Sequence, residues 1–156
     1  MSQYSNSKSY DSIVAGKYLL ALAHSKEKIL KAPQVQKLLY IAYGYFLSKK
    51  ERVLIIENPK AWPFGPVFPR TRENINYSEA ISLDSPEFAT IKNDKEVTDF
   101  FNLLIDKYSK FTGSQLSEWS HAKDGPWDLT VKKEGFVWDN TIDNMLIKDY
   151  FSSIKV

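Results

Sequence analysis

Between residues 12 and 24, apolar side chains recur at Val14, Tyr18, Ala21 and Leu22, the spacing of one helical face. Ile13, Leu19, Leu20 and Ala23 widen that face until little polar surface remains. A helix apolar nearly all round packs inside a fold. Asp11 stands where an N-cap belongs. After a charged connector at 26–31, Pro33 occupies a first-turn position that tolerates proline. Residues 34–48 then carry two adjoining stripes, Val35, Leu38, Leu39, Ala42 and Phe46 in one, Gln36, Tyr40, Tyr43 and Leu47 in the other. Ser48, Lys49 and Lys50 close this helix, with cations at the negative end of its dipole. Two adhesive faces predict a central helix, packed on both sides.

The rest of the pattern is more broken. The β-branched run at 53–56 predicts a short strand or a buried extended segment. Residues 58–69 hold four prolines, which exclude a regular helix or a central strand. The stretch 82–91 favours neither period. Asn93 and Glu96 have capping-box spacing ahead of a helix bearing Val97, Phe100, Phe101, Leu104 and Tyr108. Thr112 with Gln115 is a second capping box, opening a short helix through Trp119. Beyond the turn at Asp124, Gly125 and Pro126 comes an irregular piece with Trp127, Phe136 and Trp138. A last helix over 140–152 would bury Ile142, Met145, Leu146 and Tyr150. With no repeat and no internal linker, the expected fold is mainly α. It is a compact single domain over residues 11–156 around the central helix, with a Pro-rich crossover loop and one or two short strands. Residues 1–10, rich in Ser and Asn, are expected to be a flexible N-terminus.

Composition narrows the function. Nine Phe, nine Tyr and four Trp in 156 residues supply a core, and any surplus at the surface suits an interface. Without cysteine there is neither a disulfide framework nor a thiolate zinc site. No secretory apolar segment opens the chain and no run is long enough to span a bilayer, so a cytoplasmic protein with no membrane partner is expected. The net charge of +2 and the scarcity of arginine, limited to Arg52, Arg70 and Arg72, argue against nucleic acid.

Candidate chemistry is thin. His24 ends the first helix, where histidine commonly caps or meets the dipole. His121 has Glu118, Ser120 and Asp124 nearby, yet adjacent Ser120 and His121 point in different directions on a helix. A triad or a metal site would need partners from elsewhere. The plainer role for His121 is to bond backbone at a buried turn and hold Trp127 in place. Gly65, Gly113, Gly125 and Gly135 are isolated, so no phosphate loop exists. No catalytic residue, cofactor or metal is expected, and the protein reads as a binder.

Three segments exceed what a generic helical bundle needs. Gly44 lies inside the central helix, where glycine costs roughly 1 kcal/mol relative to alanine. Close approach of a bulky group, a loop tryptophan, would account for it. In the segment from Ala61 to Pro69, Pro63, Pro66 and Pro69 fix φ at every third residue. It is either a staple that plugs Trp62 and Val67 into the core or a preformed ridge presenting Phe64 and Phe68 to a partner. The third segment runs Leu116-Ser117-Glu118-Trp119-Ser120-His121, then Asp124-Gly125-Pro126-Trp127.

In this order and spacing, the QKLLY helix with its following Ala42 and Gly44, the AW-x-x-GPV-x-P loop and the SH…GPW turn resemble the Panacea, or SocA-like, antitoxin domain of bacterial and phage toxin–antitoxin systems. The resemblance spans 13–150. Gln36, Lys37, Tyr40, Gly44, Trp62, Gly65, Pro66, Val67, His121 and Trp127 match the family pattern, and the resemblance implies that most of them hold the fold. It further implies a compact helical antitoxin that neutralises a cognate protein toxin encoded beside it by direct contact. Some relatives instead deliver the toxin to a protease, and a phage-encoded counter-defence protein or a homo-oligomer fits the same features. Arg70, Thr71 and Arg72 stand where many relatives carry an aromatic residue, and the separate DNA-binding domain that some relatives carry is not expected here. Arg and aromatic side chains dominate interface energetics, so Phe64, Phe68, Arg70 and Arg72 are the expected toxin contacts.

Overall fold

The computed structural model describes residues 8–156. Its organising element is α2 (Ala32–Lys49), whose two stripes are both buried: each of the eight apolar or aromatic members is at most 1% exposed. Around it pack α1 (Ser12–Ser25), α4 (Lys95–Tyr108), α5 (Gly113–Ser120) and α7 (Asn144–Ser153). A hairpin of β1 (Lys60–Trp62) and β2 (Gly65–Val67), α3 (Pro69–Asn74) and α6 (Pro126–Val131) complete the set. Two 3₁₀ turns, Pro86–Phe88 and Ile91–Asn93, fill the ambiguous stretch before α4. The fold is mainly α. No helix among the described residues is long and apolar enough to cross a membrane.

Helix boundaries follow side chains that satisfy orphan backbone groups. Gln34 accepts the Lys31 N–H at 2.8 Å and donates to the carbonyls of Ser109 and Phe111, tying the start of α2 to the α4–α5 connection. Thr112 and Gln115 form their reciprocal box at 3.1 and 2.9 Å. The cap of α4 is Asp94, bonded by the Val97 N–H, and not Asn93, because Asn93 belongs to the preceding 3₁₀ turn. Asp11 does precede α1, but its carboxylate turns to Arg70, and Glu57 accepts the Ser12 N–H instead at 3.1 Å.

Long-range pairing accounts for the larger departures. α7 begins at Asn144 rather than 140, because the chain ahead of it runs alongside the hairpin: Ala61 donates to Asn140, Asp139 to Ala61, and Ile142 to Pro59. The buried face of α7 is therefore Ile147 and Phe151, while Met145 is 55% exposed. Phe151, and not a tryptophan, fills the notch at Gly44, where an added Cβ would strike its ring. Tyr40 packs edge-on against the same ring, centroids 5.5 Å apart. The run at 53–56 is extended and contributes a single bridge, Ile55 to Tyr10. Tyr10 is only 7% exposed and donates to Leu54, so the anchored chain starts before residue 11. The rest of the expected flexible end, residues 1–7, lies outside the described residues.

Candidate functional site

The proline-rich segment folds into a two-stranded antiparallel hairpin with Lys60 opposite Val67, Ala61 opposite Pro66 and Trp62 opposite Gly65. Pro63 and Phe64 make the turn, and Gly65 leaves it at φ +114°, a region side chains disfavour. Pro66 has no N–H, but its partner Ala61 directs its own N–H and carbonyl to Asn140 and Asp139, both at 2.9 Å. Proline at that position therefore removes no ladder bond.

The hairpin's carbonyls are held from outside, one after another. Trp127 Nε1 donates to Trp62 O at 2.8 Å, His121 Nε2 meets Pro63 O at 3.0 Å, and Ser117 Oγ donates to Phe64 O. Lys37 Nζ donates to Pro66 O at 3.1 Å. Gln36 grips Phe68 twice, accepting its N–H at 2.8 Å and donating to its carbonyl at 3.2 Å. The clamping side chains come from α2, from α5 and its C-terminal end, and from α6, with Ser117 and His121 spaced i, i+4 so that one helix turn presents both. Each such bond is worth about 1 kcal/mol, and an orphaned buried carbonyl costs more.

His121 is occupied twice. Its Nδ1 meets Ser117 O at 2.5 Å while Nε2 meets Pro63 O at 3.0 Å, so both ring nitrogens are engaged by backbone carbonyls. Its ring lies edge-on to Trp127, centroids 3.9 Å apart. Ser120, which a catalytic reading would pair with it, is buried and donates to Ser117 O at 2.6 Å. Among the described residues no cluster of three or more His, Asp or Glu is arranged to hold a metal ion.

Of the four side chains expected to face a toxin, Phe64 stands at the hairpin tip, 76% exposed. Arg72, on α3, lies over the Trp62 ring at 5.3 Å. Phe68 does not join them. The register turns it inward, fully buried, with its ring 5.9 Å from Tyr43, so the expectation of a surface contact is corrected. Arg70 is exposed but tied to Asp11 and Glu57, in a separate hollow of about 540 Å³.

Phe64 and Arg72 border a groove of about 670 Å³ between the hairpin and the starts of α2 and α5. Gln36, Lys37, Trp62, Gly65, Val67 and His121 line it. Tyr40 and Gly44 lie deeper, against Phe151, and Pro66 and Trp127 act on the hairpin itself. The Lys37 side chain is only 4% exposed, and burial pulls its ammonium down to about 8. Beyond the groove, Trp127 stacks on Trp138, which is half exposed beside exposed Val137. Sequence reasoning missed Ser117 and Asp139, the latter accepting Trp62 Nε1 at 2.7 Å. The i, i+4 spacing of Ser117 and His121 is the signal for the first; nothing local signals the second.

The family model described as "Antitoxin SocA-like, Panacea domain" matches residues 35–128, a span that takes in the hairpin, its clamps and most of the groove's lining. Antitoxin SocA of Caulobacter vibrioides (strain NA1000 / CB15N) is 31% identical over 135 residues, covering 78% of this chain and 72% of that protein. No solved structure gives a significant match.

Proposed function

We propose that this chain, which belongs to the SocA-like antitoxin family of the Panacea domain, neutralises a protein toxin by binding it directly with the face that carries the hairpin tip. The observation that supports this reading is Phe64: a large apolar side chain, 76% exposed, on a turn whose neighbouring carbonyls are held by Trp127, His121, Ser117 and Lys37. An exposed aromatic is costly to leave in water unless something covers it. A turn held this firmly loses little entropy when it is covered, which is what makes a preformed anchor effective. Arg72, fixed over Trp62, adds a planar cation of the kind that concentrates binding energy. Val137 and Trp138 extend the apolar surface.

The test is calorimetric titration of the toxin encoded beside this chain with three variants. Phe64→Ala and Arg72→Ala should each weaken binding by about tenfold or more while the thermal midpoint stays near that of the wild type. Phe68→Ala should instead lose about 3–5 kcal/mol of stability, because it empties a core site. Unchanged affinity in both surface variants would remove the hairpin tip from the interface.

A further inference from the structure

The groove beside the hairpin contains a cation that, among the described residues, has no carboxylate opposite it. Lys37 rises from α2 and is almost wholly covered by the fold, yet the Pro66 carbonyl is its acceptor and, among the described residues, no carboxylate stands within ion-pair distance. An ammonium carries three N–H donors, and a buried charge without a partner is costly to keep. Gly65 packs closely beside it: a Cβ there would lie 2.9 Å from Lys37 Cε and would strike Ser120 Oγ, so only a bare α-carbon fits against the lysine where it lines the groove.

The surroundings share its sign. The first turns of α2 and α5, at Pro33 and Ser114, both line the groove, and each brings the positive end of a helix dipole. Arg72 stands at the rim over Trp62. Glu118 is the one carboxylate among the described lining residues. Between these poles the walls are apolar, formed by Trp62, Phe64 and Val67. Such a groove, with one deep cation and greasy sides continuous with the hairpin tip, complements an extended peptide bearing a single acid better than a free, many-charged anion.

We propose that the groove receives an Asp or Glu side chain of the toxin, carried on an extended apolar segment that lies along Trp62 and Val67 and delivers its carboxylate to Lys37. This rests on the direct-binding reading and adds the partner's chemistry to it. The incoming carboxylate would supply a counter-ion and accept a hydrogen bond from the ammonium, with Arg72 drawing the acid towards the rim.

The experiment measures the affinity of the wild-type chain, Lys37→Met, Lys37→Gln and Phe64→Ala for the toxin encoded beside it. Single Asp→Asn and Glu→Gln variants of that toxin are then titrated against the wild type and Lys37→Met. Both Lys37 variants should weaken binding by about thirtyfold or more, while Lys37→Met melts no lower than the wild type. Lys37→Gln, which keeps a donor for Pro66, serves if the methionine variant fails to fold. One toxin variant should lose as much against the wild-type chain and lose nothing further against Lys37→Met. If Lys37 variants bind normally while Phe64→Ala does not, the carboxylate receptor is overturned and the hairpin reading stands. If the loss couples to no toxin acid, Lys37 acts only through the hairpin and the inference is again overturned. A wild-type chain that binds nothing overturns both.

Discussion

Two phenylalanines four residues apart have opposite fates, and the difference is one of register. Phe64 lies in the turn and faces water, while Phe68 follows β2 into the core against Tyr43. Which residues form the turn is set by the strand pairing, so neither fate is readable until the hairpin's register is known. Lys37 poses a similar problem, since it belongs to neither stripe of α2 and its neighbours in sequence do not say what surrounds it. Its burial has a measurable consequence. In the fold the ammonium titrates near 8, below its ordinary 10.5, because desolvation penalises the charge. Between those values the unfolded chain holds a proton that the folded chain has released, so stability rises with pH across that window. Below pH 8 the penalty is fully present, on the order of 3 kcal/mol at about 1.4 kcal/mol per unit. Urea unfolding should therefore find Lys37→Met more stable than the wild type at pH 7, with the gap narrowing towards pH 10. Because methionine also loses the hydrogen bond to Pro66, the pH dependence is the test: a gap that ignores pH would show that the charge is not destabilising.

The long helices are where local pattern and structure agree best. The stripes of α1, α2 and α4 and the Thr112–Gln115 box are local signals, and the structure keeps each within a few residues. α3 and α6 escaped notice because six residues give too short a period to detect, although each is opened by a proline in its first turn. The face of α7 was misplaced for a different reason. Its supposed first turn is spent pairing with Pro59 and Ala61, a contact across about eighty positions that no window of local sequence contains. The glycine notch in α2 was legible as a close approach, but its occupant was not, because Phe151 belongs to that misplaced face. The α2–α7 junction yields a direct check. Gly44→Ala gains helix propensity of roughly 1 kcal/mol, yet its methyl group would meet the Phe151 ring, and overpacking typically costs about 1–3 kcal/mol. The variant should melt below the wild type, and combining it with Phe151→Leu should recover part of the loss. An alanine variant that melts higher would mean the ring moves aside freely.

Across the whole molecule, the aromatic surplus divides into two functions. Most of it, including Tyr40, Tyr43, Phe46 and Phe101, fills the core around α2. A smaller group, Trp62, Trp127, Trp138 and Phe64, gathers at the hairpin, where the Trp127 indole N–H holds the backbone, that of Trp62 meets the Asp139 carboxylate, and the outermost rings meet water. The helical scaffold thus serves to hold one short turn in place, with polar side chains from three helices converging on its carbonyls. That design suits recognition of another protein through a rigid tip and an adjoining cationic groove. The most direct measurement replaces Phe64 with a photoreactive benzoylphenylalanine and irradiates cells that express the chain together with the toxin encoded beside it. The same probe at Ile29, which is 80% exposed in the α1–α2 connector and outside the groove, is the control. The account predicts a crosslink to the toxin from position 64 and none from position 29. Crosslinking from 29 with silence at 64 would contradict it.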